Sequence, residues 1–579
     1  MRRAALALLI LGAGLVPASA ADAPKLPGHW QLVILDVNEV PLFVFEVNGG
    51  ASGDKKIYGS LADSGNMGKA LKIGKVEAQG DGLALDFTIQ GADARFTPAG
   101  SPDAETILGS MNFRGEIYPV RLERVAGDKI VPPKPDQALN NKFGQARRER
   151  DPAAKLAKLK AAIGEEGPTS PRTSSIDELL HKGLVAAKAP EADVKAHADR
   201  WVAAAKPYGE ALVVQTMGKV FEGLKGKAGF EGLAKEVAAS YGPLAFAAAE
   251  AADKALPADA AAERKLAAAT KLAEAAQLVG NAPVASSAAA RVAKLEEAVD
   301  AEYHAKVPPF KPAPYAGRKA GTDRVVVMEL FTGAQCPPCV AADVGFDALI
   351  ASYKPADLIT LQYHLHIPGP DPLTNKDAED RQAYYGRAIG GTPSTFFNGK
   401  AKAGGGGGMD GAEGKFDEFR KVIDPLINGN AAAKVDLKAK LDGDTITISA
   451  TATTEAVAKG KPHLRLVLVE EQVKYVGGND LRFHHHVVRK LIGGAAGKPL
   501  VDGSVKVEET VSLADIRKFQ EAYLADFESR KGGFPNPLPP IPLKDLSVVA
   551  FVQDDEDKAI LQATQVELDA PAEMPKKHP

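Results

Sequence analysis

Cysteine is nearly absent from this chain: two occur in 579 residues, and they lie three positions apart as Cys336-Pro337-Pro338-Cys339. A protein that used disulfides as general cross-links would carry several pairs spread along its length. We therefore expect the rest of the chain to be stabilised by burial of apolar side chains alone. A single pair at this spacing indicates sulfur that is used for chemistry.

Several other features are missing, and each absence excludes a class of protein. The charge is nearly balanced, with 71 basic and 74 acidic residues, and no dense basic patch contains aromatic residues, so nucleic acid is not expected as a partner. Beyond the N-terminal segment, no stretch approaches the roughly 20 apolar residues that a membrane-spanning helix needs. The chain also lacks the Gly-Lys-Ser/Thr phosphate loop, the Gly-x-Ser-x-Gly turn of serine hydrolases and the His-Glu-x-x-His helix of zinc proteases.

The N-terminal residues have the pattern of a secretory signal. Arg2 and Arg3 form its charged region, residues 4–16 are apolar, and Ala18-Ser19-Ala20 supplies the small residues of a cleavage site. We predict that residues 1–20 are removed. The mature protein is expected to be exported, periplasmic or extracellular, and soluble.

Changes in composition divide the mature chain into four regions. Alternation such as Leu83, Leu85 and Phe87 predicts a small antiparallel β domain, and a region rich in Ala, Lys, Glu and Leu predicts helices. The cysteine-bearing region follows, and alternating strands return beyond it. The low-complexity segments Gly404–Gly408 and Phe534–Pro542 are predicted to be flexible or extended loops. The predicted boundaries are signal peptide 1–20, β domain 25–127, helical region 137–306, cysteine-bearing domain 315–430, C-terminal β-sandwich 433–569 and disordered tail 570–579.

The cysteine pair lies where a strand is expected to pass into a helix. Residues 325–331 are mostly β-branched and apolar, and residues 341–353 have helical periodicity. Backbone N–H groups and the dipole at the start of a helix stabilise an anion, so the thiolate of Cys336 is favoured over its thiol. Cys336 is therefore the predicted nucleophile. Cys339, about one helical turn further on, is the predicted resolving thiol.

Strands and helices alternate through the region around the pair, which implies a parallel strand pair joined by a right-handed crossover. The predicted elements are strands 325–331, 357–363 and 394–398 and helices 341–353, 376–387 and 412–427. Gly390-Gly391-Thr392-Pro393 stands immediately before the third strand, at a turn where a proline can be cis.

A Cys-x-x-Cys after the first strand and a Thr-Pro ahead of a later strand make residues 315–430 resemble the thioredoxin-like superfamily, of the exported thiol–disulfide oxidoreductase type. The resemblance implies a cis-proline that faces the cysteines. It also implies that Thr392 and Pro393 line the sulfur and bind an incoming extended peptide. The predicted fold class is therefore multidomain: an α/β thioredoxin-like domain with an N-terminal all-β domain, a central all-α region and a C-terminal β-sandwich.

Two positions near the pair are further candidates for the site. Gln335 precedes Cys336 at a place where thioredoxins commonly have tryptophan, and we predict that it contributes to a different substrate preference. Glu329 is the acidic residue of the apolar strand, and thioredoxins have a buried aspartate near this place that assists proton removal from the resolving cysteine. Glu329 is thus either a catalytic proton acceptor with a raised pKa or a strand-end glutamate that faces solvent.

Histidines at the strand ends are the remaining candidates. His364 and His366 end the second strand, so both imidazoles are expected at the sheet edge where Cys336 lies. They either stabilise the thiolate, ligate Cu(I) together with the two sulfurs, or form structural hydrogen bonds. The triplet His484-His485-His486 lies in a predicted strand, where two of the three share a face, and we expect a polar strand there rather than a metal site.

The leading hypothesis is an exported enzyme that exchanges thiols and disulfides with protein substrates. It would need no cofactor besides the redox-active Cys336–Cys339 disulfide, and its partners would be protein thiols or disulfides and a redox donor or acceptor protein. Two alternatives stay open. One is a copper-binding or copper-delivery protein that uses the same thiols with His364 or His366, and the other is a non-enzymatic scaffold.

Overall fold

A computed structural model of the chain describes residues 26–49, 57–80, 82–89, 92–113, 115–149, 151–164, 170–455, 460–531, 533–536 and 538–568. The predicted signal peptide and the predicted C-terminal tail lie outside these described residues. The chain forms two compact units, which divide between Leu295 and Glu296. Within the described ranges, no helix has the length and apolar character needed to cross a membrane.

The first unit begins with an antiparallel sheet that curls almost into a barrel. Its strands in the described residues are β1 (Gly28–Ile34), β2 (Val40–Asn48), β3 (Tyr58–Asp63), β4 (Leu71–Gln79), β5 (Gly82–Ile89), β6 (Ala92–Asp103), β7 (Thr106–Phe113) and β8 (Glu116–Val125). They pair in the order β3-β2-β1-β8-β7-β6-β5-β4. Alternation sends large side chains such as Trp30, Phe45 and Phe96 to the buried face. The edge strands β3 and β4 meet so closely that a side chain at Gly59 would overlap Val76.

Helices follow the sheet and pack against it. Those in the described residues are α1 (Gln137–Arg148), α2 (Pro152–Ile163), α3 (Ser174–Ala186), α4 (Glu191–Ala205), α5 (Glu210–Leu224), α6 (Glu231–Lys254), α7 (Ala262–Leu278) and α8 (Ala282–Lys306), which continues past Leu295. Asp136 and Asp151 begin α1 and α2 by accepting hydrogen bonds from backbone N–H groups three residues on. The side-chain amide of Gln215 on α5 bonds to both backbone groups of Ile117 on β8, at 2.7 and 2.8 Å. The sheet and the helices are thus layers of one unit.

The second unit contains the cysteine pair and is built from mixed strands and helices. Its strands in the described residues are β9 (Val326–Thr332), β10 (Leu358–His364), β11 (Ser394–Phe397), β12 (Lys400–Ala403), β13 (Lys434–Asp442), β14 (Thr445–Thr453), β15 (Pro462–Lys474), β16 (Phe483–Ile492), β17 (Lys498–Pro499), β18 (Ser504–Ser512), β19 (Leu546–Asp554) and β20 (Ile560–Leu568). Its helices there are α9 (Val340–Ser352), α10 (Lys376–Tyr385), α11 (Ala412–Ile427) and α12 (Leu513–Lys531).

The predicted fold class is wrong. Instead of an α/β thioredoxin-like domain followed by a separate β-sandwich, strands from both segments form one large mixed sheet. Its order is β12-β11-β9-β10-β16-β15-β19-β20, with β17 paired to β15. The strands β9 and β10 are parallel, β10 is parallel to β16, and the other pairs are antiparallel. The all-β domain and the all-α region that the sequence predicted are likewise joined in the first unit.

The physical reason for the merged sheet lies at the edge of β10. In a domain that ended near residue 430, this buried apolar strand would leave one row of backbone N–H and C=O groups unpaired. Strand β16 pairs with that edge, where Gln362 lies opposite Val487. The remaining C-terminal strands form a small sheet in the order β13-β14-β18, which packs its apolar side, including Ile446 and Ile448, on the large sheet.

Side-chain alternation along β9 separates two buried layers. Met328 and Leu330 pack with Phe346 and other residues of α9 and α11 on one face of the sheet. Val327 and Phe331 pack on the other face, in the layer that includes α10. The loop that carries the cysteines leaves the end of β9 and enters α9, so it lies at the carboxyl edge of the parallel strands.

Candidate functional site

The two cysteines are joined by a disulfide in a short turn between β9 and α9. The backbone N–H of Cys336 donates to the carbonyl of Gly333 at 3.0 Å, and that of Cys339 donates to the carbonyl of Cys336 at 2.9 Å. Both cysteines are buried, with 1% and 0% of their surface exposed, whereas Pro337 and Pro338 face solvent. The turn therefore presents its prolines rather than its sulfurs.

Thr392 and Pro393 lie beside the first sulfur. The peptide bond between them is cis. The hydroxyl of Thr392 is 3.3 Å from Sγ of Cys336 and 3.1 Å from the carbonyl oxygen of Ile367, and the carbonyl oxygen of Thr392 is 3.6 Å from the same sulfur. The hydroxyl has one proton and two acceptors within reach. A thiolate is a stronger acceptor than a carbonyl, so the hydroxyl can turn to stabilise Cys336 when it is ionised.

The glycine run contacts the turn between the cysteines. The N–H of Gly407 donates to the carbonyl of Pro338 at 2.7 Å, and the carbonyl of Gly407 accepts from Ala341 at 2.9 Å. A Cβ at Gly406 would overlap the carbonyl oxygen of Pro338 and lie 3.1 Å from Cδ of Pro393. The sequence predicted a flexible or extended loop here, with no part in the site. Nothing in the low-complexity sequence indicated that the glycines contact the turn between the cysteines, because only the fold shows which backbone they approach.

We predict that Gly406→Ala distorts the turn between the two cysteines. The new methyl group must displace the Pro338 carbonyl or Pro393. We therefore expect the equilibrium constant for reduction of the Cys336–Cys339 disulfide by glutathione to change by about tenfold, which corresponds to about 1.4 kcal/mol. The measurement is an equilibrium titration against reduced and oxidised glutathione. The matched control is Gly404→Ala in the same run, because a Cβ there would meet no atom within 4 Å. Equal constants for both variants would contradict the prediction.

The connection between β15 and β16, residues 475–482 and called here the hairpin loop, contacts the residues that precede Cys336. The N–H of Gly478 donates to the side-chain oxygen of Gln335 at 2.9 Å, and the amide of Gln335 donates to the hydroxyl of Tyr475 at 3.3 Å. The N–H of Asn479 donates to the carbonyl of Ala334 at 3.0 Å. Both polar atoms of the Gln335 side chain are thus directed to the hairpin loop.

A buried carboxyl group lies in the first turn of α9, shortly after the second cysteine. Asp343 follows Cys339, the residue that precedes α9, by four residues, a spacing that places two side chains on the same side of a helix. Asp343 is 2% exposed, and its two oxygens are 3.0 Å from the hydroxyl of Thr332 and 3.2 Å from the amide of Gln362. Burial raises the pKa of Asp343 well above its usual value, and the charge of Asp347 acts in the same direction. The sequence contained one signal of it, an acid one turn after the second cysteine in a largely apolar helix whose other acid is Asp347.

Glu329 lies on the opposite face of β9 from α9. Its carboxylate accepts two hydrogen bonds from Arg381 of α10, at 2.7 and 2.9 Å, and is also bonded to the hydroxyl of Tyr385. Glu329 and Arg381 are both fully buried. The carboxylate therefore balances a buried guanidinium in the layer away from the helix that begins at the cysteines.

Both ring nitrogens of His364 have partners other than sulfur. Nδ1 is 2.8 Å from the carboxylate of Asp371, and Nε2 is 3.1 Å from the side-chain oxygen of Gln362. The same Asp371 oxygen accepts from the backbone N–H of Ala334 at 2.6 Å. Although burial opposes it, the charge of His364 and these hydrogen bonds hold the pKa of Asp371 below its usual value. The pair thereby fixes the backbone two residues before Cys336.

His366 lies in the loop after β10 and packs under α12. Its Nδ1 accepts from the N–H of Asp371 at 3.0 Å, and its Nε2 is 3.1 Å from the hydroxyl of Tyr523. The ring stacks on Phe527 with 3.6 Å between the centroids. These contacts join the loop to α12.

The histidine triplet of β16 has three separate environments. His484 is buried beside His364, and burial lowers its pKa to about 3. His485 pairs with Asp347 at 2.9 Å, and His486 pairs with Glu471 at 2.9 Å. In the part of the chain that the structure describes, no three His, Cys, Asp or Glu side chains are grouped so that they could hold a metal ion.

Comparison with known proteins gives no family for this chain. No protein-family model and no curated protein matches it. One similar solved structure is HBP35 of Porphyromonas gingivalis, at 19% identity and a TM-score of 0.31, over 45% of this chain and 82% of that chain. Another is the alkylpurine DNA glycosylase AlkC of Pseudomonas fluorescens bound to DNA containing an abasic site analog, at 10% identity and a TM-score of 0.14, over 75% and 97%. Both scores are too low to bear on fold or function.

Proposed function

We propose that this protein is a thiol–disulfide oxidoreductase in which Cys336 exchanges with substrate and Cys339 closes or opens the internal disulfide. The observation that supports this most directly is the disulfide at the start of α9, with the Thr392 hydroxyl 3.3 Å from Sγ of Cys336. A cross-link between residues three apart closes too small a loop to stabilise the fold substantially. A chemical use explains the pair better.

The proposed exchange begins from the oxidised form. A substrate thiolate attacks Sγ of Cys336, a substrate–Cys336 disulfide forms, and the bond to Cys339 breaks with its electron pair on Cys339. A second substrate thiolate then attacks the substrate sulfur of the mixed disulfide. This releases an oxidised substrate and leaves Cys336 as a thiolate, which the Thr392 hydroxyl and the start of α9 stabilise. The same steps in reverse reduce a substrate disulfide.

Asp343 is proposed as the proton donor and acceptor for Cys339. Burial raises its pKa well above the usual value, so it holds a proton over a wider pH range than an exposed aspartate and can give that proton to Cys339 as the sulfur leaves. In the reverse direction the carboxylate takes the proton from Cys339 before the thiolate attacks the mixed disulfide. Gln335 and the exposed prolines of the turn are proposed to contact the substrate.

We further propose that the enzyme acts after export and that its partners are protein thiols or disulfides and a protein that renews its redox state. Support comes from the signal-like pattern of residues 1–20 and from the scarcity of cysteine, which leaves no other thiol to compete in exchange. An oxidising compartment would supply substrates with paired cysteines.

The experiment that tests the proposed function is reduction of insulin by dithiothreitol in the presence of the full-length protein. We expect the wild-type chain to accelerate the reaction and the Cys336→Ser variant to have no effect above the reagent alone. A Cys339→Ser variant should instead accumulate a mixed disulfide with the substrate through Cys336, visible by mass spectrometry. If the wild-type rate equals that of the reagent alone and no mixed disulfide forms, the proposed function is wrong.

A further inference from the structure

Access to the reactive sulfur is restricted in the oxidised protein. Cys336 is 1% exposed and Cys339 is fully buried. Exchange requires a nucleophile to approach Sγ of Cys336 along the line of the sulfur–sulfur bond, so a neighbouring element has to move before substrate can react. The candidates are the segments that touch the turn: the glycine run, the loop with Thr392, and the hairpin loop.

The hairpin loop touches the turn through its backbone. Besides the hydrogen bonds to Ala334 and Gln335, its Gly477 lies so close that an added Cβ would overlap the carbonyl oxygen of Ala334. At its far end, Leu481 is buried against Val340 and other residues at the start of α9. The contacts of Gly477 and Asn479 with Ala334 are made by backbone atoms of the loop, so this part of the loop can separate from the turn while Leu481 stays buried.

Both ends of the hairpin loop are held by ion pairs with α8. Lys474, the last residue of β15, pairs with Asp300 of α8 at 2.7 Å and also with Glu296. Arg482, which precedes β16, pairs with the same two carboxylates. We call these four residues the ionic latch: Glu296, Asp300, Lys474 and Arg482. Arg482 is 9% exposed, whereas the others are 28 to 39% exposed and therefore subject to screening by salt.

We propose that the ionic latch holds the hairpin loop closed against the reactive turn and that its release admits substrate to Cys336. This inference rests on the proposed function, because it names the element that controls entry to the same disulfide. The four residues of the latch act through the hairpin loop and are positioning residues. A closed state held by two carboxylates and two cations should weaken as ionic strength rises.

The test is the rate at which dithiothreitol reduces the Cys336–Cys339 disulfide, followed by the appearance of thiols at low and high salt. We expect the wild-type rate to rise with salt. The double variant Glu296→Gln/Asp300→Asn should react about tenfold faster than wild type at low salt, because loss of a cooperative ion-pair cluster shifts the opening equilibrium by about that factor, and should show little salt dependence. The matched control is Glu508→Gln, which removes the exposed pair with Lys506 on β18 and should behave as wild type.

A second variant tests the same inference without changing charge. Gly477→Ala should hold the hairpin loop away from Ala334 and speed reduction at every salt concentration, whereas Gly414→Ala on α11, where a Cβ meets no atom within 4 Å, should not. The inference is overturned if the wild-type protein, the double variant Glu296→Gln/Asp300→Asn and Gly477→Ala are all reduced at the same rate and this rate does not depend on salt. Reduction by dithiothreitol needs no catalytic activity, so this result can be separated from failure of the insulin assay, which would overturn only the proposed function.

Discussion

Replacing Arg381 by Met is expected to lower the free energy of unfolding of the second unit by about 3–5 kcal/mol. The Arg381 guanidinium and the Glu329 carboxylate are both fully buried and are bonded through two nitrogens and two oxygens. Loss of the cation leaves a carboxylate in an apolar layer, with neutral tyrosine hydroxyl groups such as that of Tyr385 beside it and without the cation that balanced its charge. An uncompensated buried charge is far more costly than the loss of an exposed pair.

Hydrogen exchange of the β9 and α10 amides, followed by mass spectrometry, would measure this effect. Tryptophan emission would not, because Trp30 and Trp201 both belong to the first unit. The matched control is Lys376→Met on the same helix, whose ammonium group forms an exposed pair with Asp380 and should matter by less than about 1 kcal/mol. The double variant Glu329→Leu/Arg381→Met should recover most of the loss, because no charge is then left unpaired. Equal stability of Arg381→Met and wild type would contradict the prediction.

Replacing Asp343 by Asn is expected to slow the release or attack of Cys339 by about a hundredfold, the usual contribution of a general acid or base. The amide keeps the shape of the carboxyl group and can still bond to Thr332 and Gln362, but it cannot transfer a proton to or from sulfur. The measurement is the rate of conversion of the Cys336 mixed disulfide, by rapid quench across a range of pH. The wild-type rate should depend on a group with a raised pKa, and this dependence should vanish in the variant.

The pH dependence of the free energy of unfolding separates a role of Asp343 in proton transfer from a purely structural role. Because the folded protein keeps a proton on Asp343 that the unfolded chain releases above its ordinary pKa, the wild-type protein loses stability as pH rises from that value through the raised pKa. Asp343→Asn removes this loss, so it should be at least as stable as wild type at neutral pH while exchanging more slowly. Asp417→Asn, an exposed acid on α11, is the control for both measurements. A variant with wild-type rates and an unchanged pH profile would exclude Asp343 from proton transfer.

Elements near the cysteines could be predicted because their signals are local. The apolar, β-branched run before Cys336 and the periodic run after it indicated a strand and a helix, and β9 and α9 lie within two residues of the predicted bounds. The turn residues before β11 indicated where Thr392 and Pro393 would stand. These features depend on residues that are neighbours in sequence.

The pairing of distant strands could not be predicted in the same way. Nothing in the pattern of β10 indicated that its second partner is β16, more than a hundred residues later. Asp343 and Glu329 show the same limit for the site, because both are acids in largely apolar segments, and sequence alone does not show what either one contacts. Only the packing of α9 on one face of β9 and of α10 on the other distinguishes an acid one turn after Cys339 from one that neutralises Arg381.

The large sheet cannot be completed until late in synthesis, because β16 is made well after the cysteines and β10. A ribosome adds about 5–20 residues per second, so on the order of ten seconds separate the emergence of the two cysteines from that of β16. Throughout this interval the nascent chain lacks β16, the strand that pairs with β10. The row of backbone N–H and C=O groups on that edge of β10 is then open, so a chaperone or another chain can pair with it before the sheet is complete.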